Sequence, residues 1–143
     1  MSISTILLAA GQGTRMNSDL PKVLHRIAGA PLVAHALRVA NMLDPARMIV
    51  VTGFGADAVA RAVAWHAPQA EIVHQPEQRG TAHAVAQAAP LLADFDGDAV
   101  VLYGDTPFVS AETLERLQAA RCDFDLVVLG YYRYSIFYVH LVW

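Results

Sequence analysis

An apolar run near the start of the chain gives way to a glycine-rich loop, in the sequence Leu7-Leu8-Ala9-Ala10-Gly11-Gln12-Gly13-Thr14-Arg15-Met16. The run is typical of a buried strand. Because glycine has no Cβ, the backbone after it can turn tightly and approach a ligand closely, and its N–H groups can form an anion-binding concavity. Arg15, and then Lys22 after Pro21, supply the fixed positive charge that a triphosphate needs. The stretch therefore predicts a loop that holds a nucleoside triphosphate.

Two familiar phosphate loops do not fit this stretch. The dinucleotide fingerprint requires a third glycine where Met16 stands, and an acidic residue after the next strand, which here ends in Val51-Thr52-Gly53. The Walker A loop requires Gly-Lys-Ser/Thr, which occurs nowhere in the chain. The loop belongs to another class of nucleotide-binding protein.

Composition limits the function classes. The chain has 143 residues, enough for one domain with a real core, and 55% of them are hydrophobic against 16% charged. A net charge of −3 provides no basic field for nucleic acid. A single cysteine excludes an internal disulfide and fits a reducing compartment. The start carries no basic signal-peptide segment, and no apolar run reaches about 18 residues. We expect a cytoplasmic protein with no membrane or nucleic-acid partner.

Strand and helix patterns alternate along the chain. Strand patterns lie at residues 5–9, 48–51, 71–74, 98–103 and 126–129, and helical patterns lie at 31–43, 56–66, 81–92 and 110–120. This alternation predicts an α/β fold, a Rossmann-like, mainly parallel sheet with flanking helices. Ligands of such sheets bind at the carboxyl ends of the strands. Residues 10–22, 75–83 and 104–108 follow strands, so we expect them to face one crevice.

The second of these segments carries amide side chains. A glutamine such as Gln75 offers both a donor and an acceptor, which match the edge of a pyrimidine. Gly80 precedes the helix that Thr81 begins, and a glycine there lets a base or ribose lie against the backbone. Taken alone, the segment favours a structural interpretation, a polar loop with a helix cap.

Asp105 follows the apolar strand pattern of residues 98–103. A carboxylate in that position is costly unless it is solvated or binds a cation. Mg²⁺ prefers one or two carboxylates, with water and phosphate oxygens completing its shell. The alternative is a simple turn residue before Pro107. Because a nucleotide loop is expected at the same sheet edge, Asp105 is predicted to ligate Mg²⁺.

The glycine-rich loop resembles the signature of the sugar-nucleotide pyrophosphorylases, L-A-(A/G)-G-x-G-(T/S)-R-(M/L) followed by a short spacer and P-K. Ala10, the run Leu20-Pro21-Lys22-Val23-Leu24-His25 and the run Gly29-Ala30-Pro31-Leu32 make the chain most similar to one family. That family is the uridyltransferase domain of bacterial bifunctional N-acetylglucosamine-1-phosphate uridyltransferase/glucosamine-1-phosphate N-acetyltransferases. The resemblance covers residues 3–130 and implies a fold of the nucleotide-diphospho-sugar transferase type, incomplete at its C-terminus.

The resemblance also implies an activity and a set of site residues. The reaction transfers UMP from UTP to N-acetylglucosamine 1-phosphate with Mg²⁺, giving pyrophosphate and UDP-N-acetylglucosamine, a precursor of the peptidoglycan cell wall. Arg15 and Lys22 would be catalytic, Tyr103 and Gly104 would lie near the sugar phosphate, and Asp105 would hold the metal. The residues implied in nucleotide binding are Leu8, Ala9, Ala10, Gly11, Gly13, Gln75, Gly80 and Thr81.

Two other functions remain open at this point. One is a nucleotide-binding module without turnover, which pyrophosphate-release and UTP-binding measurements would distinguish from an enzyme. The other is a related nucleotidyltransferase of the sugar-phosphate or molybdenum-cofactor type. The glutamine loop argues against the molybdenum-cofactor type, which uses GTP or CTP.

The end of the chain departs from the family pattern. Residues 131–143 hold half of the aromatic residues and no acidic one. We expect residues 1–130 to form the N-terminal part of a nucleotidyltransferase domain, and residues 131–143 to be an atypical tail whose apolar surface favours association. Full-length relatives are trimers through a C-terminal domain that has no counterpart here, so oligomerisation stays open.

Overall fold

The computed structural model describes the backbone of residues 2–132 and 135–140 and the side chains of residues 2–130. The strands are β1 (Ile3–Ala9), β2 (Arg26–Ile27), β3 (Ala30–Pro31), β4 (Arg47–Thr52), β5 (Glu71–His74), β6 (Asp98–Tyr103), β7 (Val127–Tyr132) and β8 (Ser135–His140). The α-helices are α1 (Leu32–Asn41), α2 (Ala56–His66), α3 (Thr81–Ala86) and α4 (Ala111–Arg121). Short 3₁₀ turns lie at Thr14–Met16, Lys22–Leu24 and Ala89–Leu92.

The central sheet has four parallel strands in the order β5-β4-β1-β6. Leu7 of β1 lies opposite Val50 of β4 on one side and Leu102 of β6 on the other. The predicted α/β fold with a mainly parallel sheet is confirmed. The chain builds the sheet outward from β1 to β5 and then returns to the other side of β1 with β6. Such a reversal of strand order opens a crevice at the carboxyl ends of the strands.

The core lies between the central strands and the helices packed on them. Leu7 and Val50 are fully buried, as expected for strands covered on both faces. In α1, Val33 and Leu37 lie one turn apart on the buried face, and α1 packs against both β1 and α2. Val63 of α2 is also fully buried, and α2 packs against β4. Burial of this apolar surface holds the sheet rigid beneath its carboxyl ends.

The prediction of one helix over residues 81–92 is correct for its first half and wrong for its second half. The structure has α3 ending at Ala86, followed by the 3₁₀ turn Ala89–Leu92. Pro90 explains the break, because proline lacks an N–H and its ring clashes with the carbonyl four residues earlier, which here is that of Ala86.

A short hairpin, β2–β3, was not predicted. Its two connecting residues, Ala28 and Gly29, both have positive φ, at 48° and 83°. A two-residue loop of this kind matches the twist of antiparallel strands. Alanine rarely adopts positive φ, so the sequence pattern carried no signal for this turn.

Residues 109–143 form a compact unit separate from residues 1–108. In it, the strand predicted at residues 126–129 extends to Tyr132 as β7 and pairs antiparallel with β8. The predicted apolar surface of residues 131–143 lies outside the described side chains. No helix in the described part of the chain combines the length and apolarity needed to span a membrane.

We predict that Gly53→Ala destabilises the fold by about 1–3 kcal/mol, as overpacking does. A Cβ at Gly53 would lie 2.8 Å from the carbonyl oxygen of Ala10 and 2.9 Å from its Cβ, so the backbone after β1 would have to move. Urea unfolding measures the change. Gly11→Ala is the matched control, because a Cβ there would meet no atom within 4 Å. If Gly53→Ala and Gly11→Ala had the same free energy of unfolding, the close contact between the chain after β1 and the chain after β4 would be contradicted.

Candidate nucleotide-binding and catalytic site

A cleft of about 320 Å³ opens at the carboxyl ends of β1, β5 and β6. All three segments that were expected to share a crevice contribute to its walls. The lining residues are Leu8, Ala10, Gly11, Lys22, Val23, Gln75, Gln78, Gly80, Thr81, Ala84, Tyr103 and Asp105.

Glycines set the position of Lys22. Gly13 has a φ of +72°, and a Cβ there would lie 2.7 Å from the Cβ of Lys22, so the loop folds directly over the lysine stem. Gly55, at the start of α2, likewise has positive φ and leaves no room for a Cβ beside Pro21. Side chains at either glycine would displace the Pro21-Lys22 segment from the cleft.

The loop after β6 brings a carboxylate to this lysine. The Gly104 N–H donates to the Leu8 carbonyl at 2.9 Å, and a Cβ on Gly104 would lie 3.0 Å from that oxygen and from Val23 Cγ1. This close approach lets the chain turn so that Lys22 Nζ forms an ion pair with Asp105 Oδ2. The two side chains are 36% and 27% exposed, so opposite charges meet at a wall that remains open to ligands.

Asp105 is the carboxylate among the residues that line the cleft. Among the described residues, no group of three His, Cys, Asp or Glu side chains is placed to hold a metal. An ion on Asp105 would therefore take its other ligands from water and phosphate oxygens, which is the coordination that Mg²⁺ prefers. It would also have to share the carboxylate with Lys22.

Amide side chains form the opposite part of the cleft. Gln75, only 3% exposed, places its Nε2 3.3 Å from the Gly80 carbonyl oxygen and 2.9 Å from His83 Nδ1. Gln78 donates from Nε2 to the Ala10 carbonyl at 3.0 Å. That bond ties the loop after β5 to the loop after β1, so the two walls hold a fixed separation.

Some predicted residues lie off the cleft surface. Arg15 is exposed on the 3₁₀ turn Thr14–Met16 and makes no hydrogen bond or ion pair with the described residues. Ala9 is 1% exposed within β1. Gly13 and Gly104 are not among the residues that line the cleft, although each packs closely against one that is, Lys22 and Val23 respectively. The roles assigned to the site residues from sequence stay predictions.

No role was predicted from the sequence for Val23, Ala84 or His83. The first two line the cleft, and His83 contacts Gln75. The His83 contact depends on Gly80, whose φ of +95° turns the chain between Gln75 and α3. A glycine before a helix was the available signal, but it does not reveal which side chains the turn brings together.

Comparison with known proteins identifies the family. The chain matches the MobA-like NTP transferase domain over residues 5–139. It belongs to the MobA-like NTP transferase domain family. The match runs past residue 130, and the predicted division of the chain at that residue stays a prediction.

The resemblance to the bacterial bifunctional uridyltransferases is also confirmed. The bifunctional protein GlmU of Dinoroseobacter shibae is 64% identical to this NTP transferase over 132 residues, which are 92% of this chain and 29% of that protein. GlmU proteins of other bacteria are 53–61% identical over similar lengths. The chain thus spans about 29% of the length of the curated relatives it matches.

Solved structures share the fold. Protein Rv0371c of Mycobacterium tuberculosis H37Rv superposes with a TM-score of 0.72 at 25% identity, over 94% of this chain and 68% of that one. The nucleotidyl transferase Mth528 of Methanothermobacter gives a TM-score of 0.67 at 25% identity, over 82% of this chain and 57% of its own. The architecture is therefore that of the nucleotidyl transferases.

We predict that the Lys22–Asp105 pair contributes little to folding, with a coupling free energy below about 1 kcal/mol, because partly exposed pairs are screened by solvent. A double-mutant cycle with Lys22→Met, Asp105→Asn and the double variant, followed by urea unfolding, measures it. A coupling of about 3 kcal/mol or more, as for buried pairs, would show instead a structural role.

Proposed function

We propose that this cleft transfers UMP from UTP to N-acetylglucosamine 1-phosphate, giving UDP-N-acetylglucosamine and pyrophosphate for cell-wall synthesis. The observation that carries the proposal is that a lysine–carboxylate ion pair and a buried glutamine line the same cleft. The 64% identity to the GlmU protein of D. shibae supports the same substrates. Such substrates, and a net charge of −3, favour a cytoplasmic enzyme without a nucleic-acid or membrane partner.

The cleft would bind UTP along its length. Gln75, Gly80 and Thr81 would contact the uridine at the end formed by the loop after β5. The backbone of residues 8–13 would surround the triphosphate, since glycines at positions 11 and 13 let N–H groups approach the phosphate oxygens. This arrangement directs the phosphates toward Lys22 and Asp105.

The chemistry requires positioning and charge neutralisation. An oxygen of the sugar 1-phosphate attacks the α-phosphorus of UTP, and the bond from that phosphorus to the bridging oxygen breaks, so pyrophosphate leaves with the electron pair. The nucleophile is already ionised, and no residue has to remove a proton. Lys22 and Arg15 would neutralise the phosphates, while Tyr103 and Gly104 would lie beside the sugar phosphate. Such fixed electrostatic groups supply most of the catalysis in phosphoryl transfer.

Asp105 would hold Mg²⁺, which its position as the carboxylate in the cleft lining supports. The ion would supply further charge neutralisation at the phosphates. Lys22 would then exchange its carboxylate partner for a phosphate, so the positive charge stored in the ion pair becomes available when the nucleotide enters.

Calorimetry with MgUTP, MgCTP and MgGTP tests this proposal. We expect UTP to bind more tightly than CTP and GTP, and pyrophosphate to be released once N-acetylglucosamine 1-phosphate is added. UTP binding without pyrophosphate release would support a nucleotide-binding module instead. Equal or tighter binding of GTP or CTP would contradict the assignment of UTP.

A second test concerns Arg15. Hydrogen bonds to charged groups contribute about 1.5–3 kcal/mol, so we expect Arg15→Ala to weaken MgUTP binding about tenfold or more. Arg61→Ala is the matched control, because Arg61 is exposed on α2 and does not line the cleft. Equal affinities of the two variants would remove Arg15 from the site.

A further inference from the structure

We propose that His83 is a positioning residue that fixes the orientation of the Gln75 amide and thereby selects uracil over cytosine. The inference rests on the proposed function. His83 is half-buried and does not line the cleft, whereas Gln75 does. Its influence on the base would therefore pass through Gln75.

The hydrogen bonds of Gln75 determine which atom of its amide faces which neighbour. One amide atom lies 3.3 Å from the carbonyl oxygen of Gly80 and 2.9 Å from Nδ1 of His83. A carbonyl oxygen only accepts hydrogen bonds, so this amide atom must be the nitrogen. Its two hydrogens then serve Gly80 and His83, one each.

This assignment fixes the tautomer of His83. Nδ1 has to accept a hydrogen bond, so the neutral ring carries its proton on Nε2. The Gln87 amide nitrogen donates to the His83 backbone carbonyl at 3.1 Å and also lies 3.3 Å from the ring Nε2. The contact between Gln75 and Nδ1, at 2.9 Å, is the shorter of the two contacts to the ring and decides the tautomer. A proton on Nδ1 would instead oppose the NH₂ of Gln75.

Because both amide hydrogens of Gln75 already form hydrogen bonds, its Oε1 atom is the group that can bind a ligand, as an acceptor. Oε1 makes no hydrogen bond with the described residues, and it is not among the solvent-inaccessible polar atoms that lack a partner. It therefore keeps some solvent-accessible surface, and Gln75 is one of the residues that line the cleft. The N3–H of uracil donates to such an oxygen, whereas N3 of cytosine is itself an acceptor and is repelled.

Removing the Nδ1 acceptor tests the inference. A hydrogen bond of this kind contributes about 1 kcal/mol, so we expect His83→Ala to lower the ratio of MgUTP to MgCTP affinity about fivefold in calorimetry. His83→Asn should restore the ratio, because its Oδ1 can replace Nδ1 as the acceptor. His66→Ala, an exposed histidine-to-alanine change on α2, should leave the ratio unchanged.

The outcomes separate the inference from the proposed function. A wild-type chain without a preference for UTP over CTP would overturn both. If His83→Ala leaves the wild-type preference intact, including the case in which both affinities drop by the same factor, the role of His83 alone would be overturned.

Nitrogen-15 NMR of the His83 ring in the wild-type chain gives a readout that needs no variant to fold. We expect a protonated Nε2 and an unprotonated Nδ1. The opposite tautomer would overturn the inference.

Discussion

The ion pair between Lys22 and Asp105 joins two positions 83 residues apart in the chain, and both residues line the cleft. The two residues follow β1 and β6, neighbouring parallel strands whose carboxyl ends meet at one edge. Gly13 and Gly104 make the pair sterically feasible, because a side chain at either would collide with the surrounding segment. The pair is partly open to solvent, so we expect it to contribute little to folding.

Neutral hydrogen bonds hold the other wall of the cleft in place. The Ala10 carbonyl accepts from the backbone N–H of Phe54 at 3.0 Å and from the side chain of Gln78 at 3.0 Å. One backbone oxygen thus ties the loops after β1, β4 and β5 together. This arrangement keeps the amide end of the cleft at a fixed distance from the charged end. A nucleotide likewise has a neutral end, its base, and a charged end, its phosphate chain.

Much of this could be predicted from the sequence, because the signals were local. The bounds of α2, β5 and β6 agree with the apolar patterns, and the strand endings correctly placed Gln75 and Asp105 at one cleft. The predictions that were wrong or missing concern backbone conformations that composition does not reveal. The positive φ of Ala28 made an unexpected hairpin, and the break before Pro90 shortened a helix whose apolar spacing continued. The Gln75–His83 contact likewise needed three-dimensional knowledge of the turn at Gly80.

A crystal structure of the chain with UTP and Mg²⁺ is the most direct test of the central claim, that one cleft holds the base at Gln75 and the phosphates at Lys22 and Asp105. The account predicts uracil against Gln75, the triphosphate along the glycine-rich loop, and Lys22 turned from Asp105 toward a phosphate oxygen. A nucleotide bound elsewhere, or bound here with the Lys22–Asp105 pair intact and its phosphates pointing away, would contradict it.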